Sequence, residues 1–319
     1  MRFRIKDSIL GEFFIKEARV SDNDGKNLYT EYCNAKQAAD LYHPTYGTIA
    51  PFPIRYTGDT IQFKYLSGYK TVIPSLFPED NSIRADALEL VQQLGSILAL
   101  VHDCDSKHPS QAEFPGSFPL PIDKYLSLNP AVLDLLKNLS HQSHIAINEL
   151  REAISSRPTR QCHIHGDFKP DNILLQGSNI QITDWELAGQ GVPEHDFASF
   201  YAGIFTELVH RSIRQTTGNK RDTARKQLSS ATNSSILCTR SMIVSYNKAR
   251  GHVLDNNLLT RLIGAKLLAR AAMHSYINAG TSPFTGILQQ AAEHCLNNPS
   301  QLSHLLAQPT NGRTANALL

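Results

Sequence analysis

Three oxygen-bearing side chains in one short segment could do chemistry together. Asp167 and Asn172 lie five positions apart on a stretch that Pro170 closes, and Asp184 follows 17 positions after Asp167. An apolar run and a Gln-Gly-Ser-Asn turn stand between them, so the segment predicts a β-hairpin with all three side chains at one end. Carboxylate and carboxamide oxygens are hard ligands that suit Mg²⁺, which is bound by few protein groups together with substrate phosphates.

The same segment contains the groups that phosphoryl transfer needs. An aspartate can accept the proton of an attacking hydroxyl, an asparagine and a second aspartate can hold the metal, and a lysine such as Lys169 can balance phosphate charge. The protein then supplies positioning and fixed charge rather than covalent chemistry. The alternative is that these are ordinary turn residues, since Asp and Asn favour turns. The combined spacing favours a phosphotransferase.

The longer pattern resembles one known family. The segments His-Gly-Asp-x-x-x-x-Asn at 165–172 and Ile-Thr-Asp-Trp-Glu at 182–186 resemble the aminoglycoside phosphotransferase and choline kinase-like family, which has the protein-kinase-like fold. The resemblance implies an ATP- and Mg-dependent kinase that phosphorylates a hydroxyl group. It also implies four roles: catalytic Asp167 and Lys169, and metal ligands Asn172 and Asp184.

Other positions extend the resemblance to nucleotide binding and to support of the loop. Residues 13–16 are similar to the strand whose lysine contacts the α- and β-phosphates, and residues 63–68 are similar to the hinge that holds adenine. Asp196 resembles an aspartate that braces the catalytic loop. Lys16 and its proposed partner Glu31 could also be an ordinary surface pair. The nucleotide-binding residues implied in this way are Lys16, Glu31, Lys64, Tyr65 and Leu66.

The patterning predicts an α+β, two-lobed protein-kinase-like fold. Short β-leaning runs at 2–5, 12–16 and 60–66 and a helix at about 28–41 indicate a small β-rich nucleotide-binding lobe, residues 1–66. A mainly helical lobe, residues 67–319, would hold the catalytic loop and the acceptor site. Its predicted helices lie near 86–102, 131–139, 145–154, 196–215, 236–249, 258–277 and 284–296. We expect the 258–277 helix to pack in the core, and the polar tail from 297 to be loosely held.

The small lobe departs from the family pattern at its start. A glycine-rich loop should precede the lysine strand and cover the phosphates. The first glycine is Gly11, five positions before Lys16. Either the first strand and loop are missing, or residues 6–11 form a short lid. A protein partner or the acceptor itself could complete the nucleotide site. The alternative function is a pseudokinase-like binding or scaffold module.

Composition excludes several other classes of protein. The 319 residues include 31 Lys and Arg against 29 Asp and Glu, a net charge of +2, which does not favour nucleic-acid binding. The apolar runs are shorter than the roughly 18 residues of a membrane span. The five cysteines form no CxxC pair, so we expect a reduced cytoplasmic protein. His163 and His165 alternate, but no third zinc ligand lies nearby.

The sequence says less about the acceptor. Basic residues cluster at 211–226, either as a solvated helix end or as a docking surface for an acidic partner. Acidic residues are scarce after Asp196, which disfavours a polycationic acceptor. We therefore expect a neutral or acidic hydroxyl acceptor. It is either a small molecule or a Ser/Thr of a peptide, such as a precursor peptide in natural-product biosynthesis.

Overall fold

The computed structural model describes residues 2–8, 11–17, 24–77, 83, 85–104, 130–156, 161–215, 221–251 and 253–308. Within these ranges the chain has a β-rich N-terminal part and a larger helical C-terminal part, as expected. Residues 107–121 are rich in Pro, Ser and Gly, which predicts a loop, and they lie outside the described residues. The division of the lobes after residue 66 stays a prediction.

Four antiparallel strands form the N-terminal sheet. They are β1 (Arg2–Ser8), β2 (Gly11–Glu17), β5 (Pro53–Tyr56) and β6 (Thr60–Lys64), in the order β1-β2-β6-β5. Ile61 and Phe63 alternate with more exposed neighbours on β6, as a half-buried strand requires. The proline-containing strand β5 lies at the edge, where a missing N–H group costs nothing. Strands β3 (Tyr42–His43) and β4 (Gly47–Thr48) pair separately, and helix α1 (Asp24–Ala39) lies between β2 and β3 in the chain.

Two small sheets carry the residues around the predicted catalytic segment. Strand β7 (Lys70–Thr71) pairs with β9 (Ile173–Gln176), which pairs with β10 (Asn179–Ile182). Strand β8 (Cys162–Ile164) pairs with β11 (Gly189–Gly191). The pairing of β9 with β10 confirms the predicted β-hairpin.

The C-terminal part is built from packed helices. Those described are α2 (Ile73–Leu76), α3 (Ala85–His102), α4 (Pro130–Lys137), α5 (His141–Ser155), α6 (Glu194–Gln215), α7 (Arg221–Arg250), α8 (Asn256–Ile277), α9 (Pro283–Asn297) and α10 (Pro299–Ala307). Helix α8 runs through the middle of the helical core, and Leu259, Leu262 and Ile263 on it are fully buried. No helix in the described ranges has both the length and the apolar character to cross a membrane.

The sequence-based assignment of two segments was wrong. Helix α7 begins at Arg221, not near 236. The sequence pattern missed its first half because that half is rich in Ser and Thr and has no apolar period. The hydroxyls of Thr232 and Ser235 donate to carbonyls one turn back, so the helix satisfies them internally. The tail is not loosely held through residue 307, because Leu302 and Leu306 of α10 are buried.

Candidate active site

The β9–β10 hairpin brings the ends of the predicted catalytic segment together. Ile173 pairs with Ile182, so residues 172 and 183 lie side by side. The backbone N–H of Thr183 donates to the Asn172 carbonyl at 2.9 Å. Asp184 then turns the chain in a left-handed conformation, φ 66°, at the start of a 3₁₀ turn, Trp185–Leu187. The hairpin thereby fixes Asn172 and Asp184 relative to each other.

The loop before the hairpin gathers Asp167, Lys169 and Asn172. Asn172 Nδ2 donates to the backbone carbonyl of Asp167 at 3.0 Å and to its carboxylate at 3.3 Å. Lys169 Nζ lies 2.5 Å from the same carboxylate. Burial alone would raise the pKa of Asp167, but the charges of Lys169 and Lys266 hold that pKa below its ordinary value. Asp167 is therefore ionised and able to accept a proton at neutral pH.

A buried aspartate supports this loop from helix α6, as the resemblance implied. Asp196 is 0% exposed and accepts hydrogen bonds from the backbone N–H groups of His165 and Gly166, each at 2.8 Å. His102 Nε2 lies 3.0 Å from Asp196, and Tyr246 contacts the other ring nitrogen of His102. Burial would raise the pKa of Asp196, but the hydrogen bond and charge of His102 hold it well below its usual range.

Gly166 is the one position in this loop where a side chain would not fit. Its φ is +84°, and an added Cβ would lie 2.1 Å from the Leu187 carbonyl oxygen. The loop and the 3₁₀ turn therefore pack backbone against backbone. This close approach places Asp167 beside the hairpin end that carries Asp184.

Lys16 lies among three carboxylates that come from distant parts of the chain. Its Nζ is 2.6 Å from Glu31, 2.8 Å from Asp184 and 3.0 Å from Glu186. Burial alone would lower the pKa of this ammonium, but the three carboxylates raise it. The predicted Lys16–Glu31 pair is thus formed, and the reading of both as ordinary surface residues was wrong, because each is only 2% exposed.

Glu186 is a member of this cluster that the sequence reasoning missed. One oxygen each of Glu31, Asp184 and Glu186 lie within 4.8 Å of one another, which makes them the one group of three that could hold a cation in the described chain. The only available signal was the spacing of Glu186, two positions after Asp184. An all-oxygen donor set of this kind fits a divalent cation such as Mg²⁺.

A cleft between the N-terminal sheet and the hairpin has room for a ligand. Its volume is about 370 Å³, in the range of small-molecule sites. Apolar side chains from both sides line it, including Phe14, Phe63 and Leu174. The predicted site residues that also line it are Lys16, Glu31, Lys64, Tyr65, Leu66, Asn172 and Asp184. The structure therefore brings the predicted nucleotide-binding and metal-binding residues to one cleft.

Two other sequence features do not line this cleft. His165 is buried and contacts the Thr183 carbonyl at 3.0 Å, and neither His163 nor His165 belongs to a possible metal cluster in the described residues. The basic stretch at 211–226 is divided. Arg211 pairs with Glu207 at 2.9 Å and donates to the Phe77 carbonyl, whereas residues 216–220 lie outside the described ranges. A docking role for this stretch stays a prediction.

Known proteins share part of this chain's sequence pattern and its fold. A family model described as "Phosphotransferase enzyme family" matches residues 71–225. No curated protein matches the chain. Among solved structures, an amicoumacin kinase, hAmiN, in complex with AMP-PNP, Ca²⁺ and Ami has a TM-score of 0.52 at 11% identity, over 92% of this chain and 84% of that chain.

Two further solved structures are similar at lower TM-scores. The choline kinase LicA from Streptococcus pneumoniae has a TM-score of 0.48 at 12% identity, over 92% of this chain and 89% of that chain. A choline/ethanolamine kinase family protein from Mesorhizobium loti has a TM-score of 0.43 at 16% identity, over 92% and 85%. The family match and the fold shared with the amicoumacin kinase confirm the resemblance: over residues 71–225, which include the hairpin and Asp196, this chain carries the pattern of the phosphotransferase enzyme family.

Proposed function

We propose that the protein is a small-molecule kinase that transfers the γ-phosphate of ATP to a hydroxyl group, with Mg²⁺ as cofactor. The observation that carries the proposal is the meeting of Asp167, Asn172 and Asp184 at one hairpin end, next to a cleft that Lys16 and Glu31 also line. Lys16, Glu31 and the 167–184 segment come from three separate parts of the chain, so their meeting is a property of the fold and not of one local motif.

The side chains suit distinct parts of the reaction. The ionised Asp167 accepts the hydroxyl proton as the acceptor oxygen forms its bond to the γ-phosphorus and the bond to the β-phosphate oxygen breaks. Lys169 lies 2.5 Å from Asp167, where its positive charge offsets the charge of the transferred group. Lys16, kept protonated by its carboxylate neighbours, would contact the α- and β-phosphates.

The metal-binding residues fit the cofactor. Asn172 uses its Nδ2 group on Asp167, which leaves its Oδ1 atom available for a cation. Asp184 presents a partly exposed carboxylate to the same cleft. A bound Mg²⁺ would neutralise charge that develops on the phosphates.

The pseudokinase alternative is less favoured. A binding module without turnover is expected to lack at least one member of the catalytic set. Here Asp167, Asn172 and Asp184 are all present, and the loop that carries them is held by buried hydrogen bonds to Asp196.

Substitution of the proposed base tests the function. In an assay of ATP consumption with Mg²⁺ and a panel of alcohols, we expect Asp167→Asn to lower kcat about 10²- to 10⁴-fold. The matched control is Asp171→Asn, which makes the same change at an exposed position of the same loop. Thermal melting would show whether both variants fold as the wild type does. Equal rates of ATP consumption for wild type and Asp167→Asn would contradict the proposal. Binding of ATP without its consumption, with any acceptor of the panel, would favour the pseudokinase alternative.

A further inference from the structure

Two basic residues of helix α8 lie beside the catalytic loop. Lys266 Nζ donates to the Gly166 carbonyl at 3.5 Å, immediately before Asp167. Arg270 follows one turn later on the same face of α8. An added Cβ on Gly203 of α6 would lie 3.4 Å from Arg270 Nη2 and 2.4 Å from Pro170 Cδ. The guanidinium therefore lies where α6 approaches the catalytic loop.

The packing of α8 does not need these charges. Its apolar residues, such as Leu262 and Leu267, are fully buried, whereas Lys266 and Arg270 are partly exposed. Helix α8 packs in the core through its apolar residues, as expected, and Lys266 on it lies beside the catalytic loop. The signal in the sequence was a lysine and an arginine four positions apart in the Ala- and Leu-rich middle of the helix.

Among the described residues no carboxylate lies at salt-bridge distance from either cation, and the charges of Asp167 and Asp171 act on Arg270 from farther away. Burial lowers the pKa of Lys266 to about 8, the nearby charges of Arg270 and Lys169 add to this effect, and Asp167 and Asp196 oppose it. Burial also lowers the pKa of Arg270. Holding like charges together in a partly buried place costs free energy that a bound anion would offset.

The position of these cations separates them from the nucleotide. Neither Lys266 nor Arg270 lines the 370 Å³ cleft that contains the proposed nucleotide residues. Both lie near Asp167, the group that would contact the reacting hydroxyl. An anion bound there would therefore belong to the acceptor rather than to ATP.

We propose that the acceptor is an alcohol that also carries an oxyanion, either a carboxylate or a phosphoryl group, and that Lys266 and Arg270 bind this oxyanion next to Asp167. The planar guanidinium of Arg270 can bind two oxygens at once, and the ammonium of Lys266 adds a point charge. The inference rests on the proposed kinase function and names its substrate class. It also moves the basic character expected of the acceptor site from residues 211–226 to helix α8.

Direct binding tests the anion site without turnover. Isothermal titration would compare glycerate and glycerol 3-phosphate with neutral glycerol, and the two anions distinguish a carboxylate site from a phosphoryl site. We expect at least one anion to bind more tightly than glycerol. We expect Lys266→Met and Arg270→Met each to weaken that binding about ten- to a hundredfold. Equal binding of anionic and neutral alcohols would overturn the inference.

Two further variants separate charge from packing. Lys266→Met could lose anion binding only because it fails to fold. Lys266→Arg keeps the positive charge, so it should retain anion binding. Arg261→Met is the matched control, because Arg261 lies on the same helix but pairs with Glu149 at 2.8 Å near the surface. If Arg261→Met weakens anion binding as much as Arg270→Met does, the inference is overturned.

Kinetics distinguish failure of the inference from failure of the proposed function. With an anionic acceptor, Lys266→Met should raise KM about ten- to a hundredfold, and with a neutral acceptor it should change KM little. Phosphoryl transfer that is equally efficient with neutral acceptors and insensitive to Lys266→Met would overturn the inference alone. Charge-dependent anion binding without any phosphoryl transfer would contradict the proposed kinase and support the anion site.

Discussion

At the scale of single residues, the charges around Asp167 set how the site responds to pH. Lys169 and Lys266 both lower the pKa of Asp167, and burial lowers the pKa of Lys266 itself to about 8. The charged and titratable groups that face Lys266 are Asp167, Lys169, His195, Asp196 and Arg270. The two aspartates have lowered pKa values and stay ionised above neutral pH.

This pattern predicts that acceptor affinity falls at alkaline pH. Lys266 binds an oxyanion only in its protonated form, which predominates below a pKa of about 8. The affinity for a carboxylate-bearing alcohol such as glycerate should therefore be nearly constant up to about pH 7 and decrease above pH 8, by about tenfold per pH unit at the limit. Titration calorimetry between pH 6 and 10 measures this profile. Lys266→Arg should remove the break at pH 8, and an unchanged break in that variant would show that another group titrates.

Residue identities were predictable where the chemistry is local in the chain. Asp167, Lys169 and Asn172 lie within six positions, so one motif reveals all of them. Lys266 and Arg270 lie about a hundred positions away, and only the packing of α8 against the catalytic loop places them there. No spacing rule links residues whose contact depends on how a helix packs against a distant loop.

At the scale of elements, the catalytic loop depends on helix α6 for its position. The Asp196 carboxylate accepts hydrogen bonds from two backbone N–H groups of the loop and contacts His102 of helix α3. All of these groups are buried, so neither water nor another described side chain could replace the carboxylate without rearrangement. One side chain of α6 therefore joins the catalytic loop to α3.

Removal of this carboxylate should destabilise the protein strongly. We expect Asp196→Ala to lower the free energy of unfolding by about 3–5 kcal/mol, because it leaves two buried N–H groups and His102 without their acceptor. Chemical denaturation at neutral pH measures the change. Glu149→Ala removes an exposed carboxylate that pairs with Arg261, and it should cost less than about 1 kcal/mol. Similar losses in the two variants would mean that the loop does not depend on Asp196.

Elements were predictable where apolar residues recur at a regular spacing. Helix α3 was expected at 86–102 and spans Ala85–His102, because its valines and leucines recur every three or four positions. The first half of α7 has no such period, since Ser and Thr residues occupy it and bond back to the helix backbone. The 3₁₀ turn at Trp185–Leu187 also has no pattern of apolar residues that would predict it. It begins at Asp184, whose left-handed backbone conformation is not predictable from its residue type.

At the scale of the whole molecule, the proposed nucleotide cleft lies where the N-terminal sheet and the hairpin meet. Lys16 of β2 joins the two across the cleft through Asp184 and Glu186. Asn34 of α1 adds a second connection, because its Nδ2 group donates to the backbone carbonyls of Trp185 and Ala188 at 3.1 and 3.0 Å. A ligand bound between these parts should therefore stabilise both.

The thermal stability of the chain should accordingly rise when ATP and Mg²⁺ bind together. At a ligand concentration about a hundred times Kd, binding adds about 2.7 kcal/mol, which corresponds to a rise in Tm of roughly 5 °C. Differential scanning fluorimetry measures the shift for the isolated chain. The increment that Mg²⁺ adds to ATP should disappear in Asp184→Asn, because this variant lacks the charged metal ligand, and should persist in Asp171→Asn.

The same measurement decides how the nucleotide site is completed. From the sequence, either the first strand and the glycine-rich loop are missing or residues 6–11 form a short lid. In the structure β1 and β2 pair as antiparallel strands, and residues 9 and 10 lie outside the described ranges. If these two strands suffice, the isolated chain shows the full shift with ATP and Mg²⁺. A shift that needs the acceptor as well would mean that the acceptor completes the site. No shift under either condition would contradict nucleotide binding by this chain alone and would leave completion by a protein partner as the expectation to test.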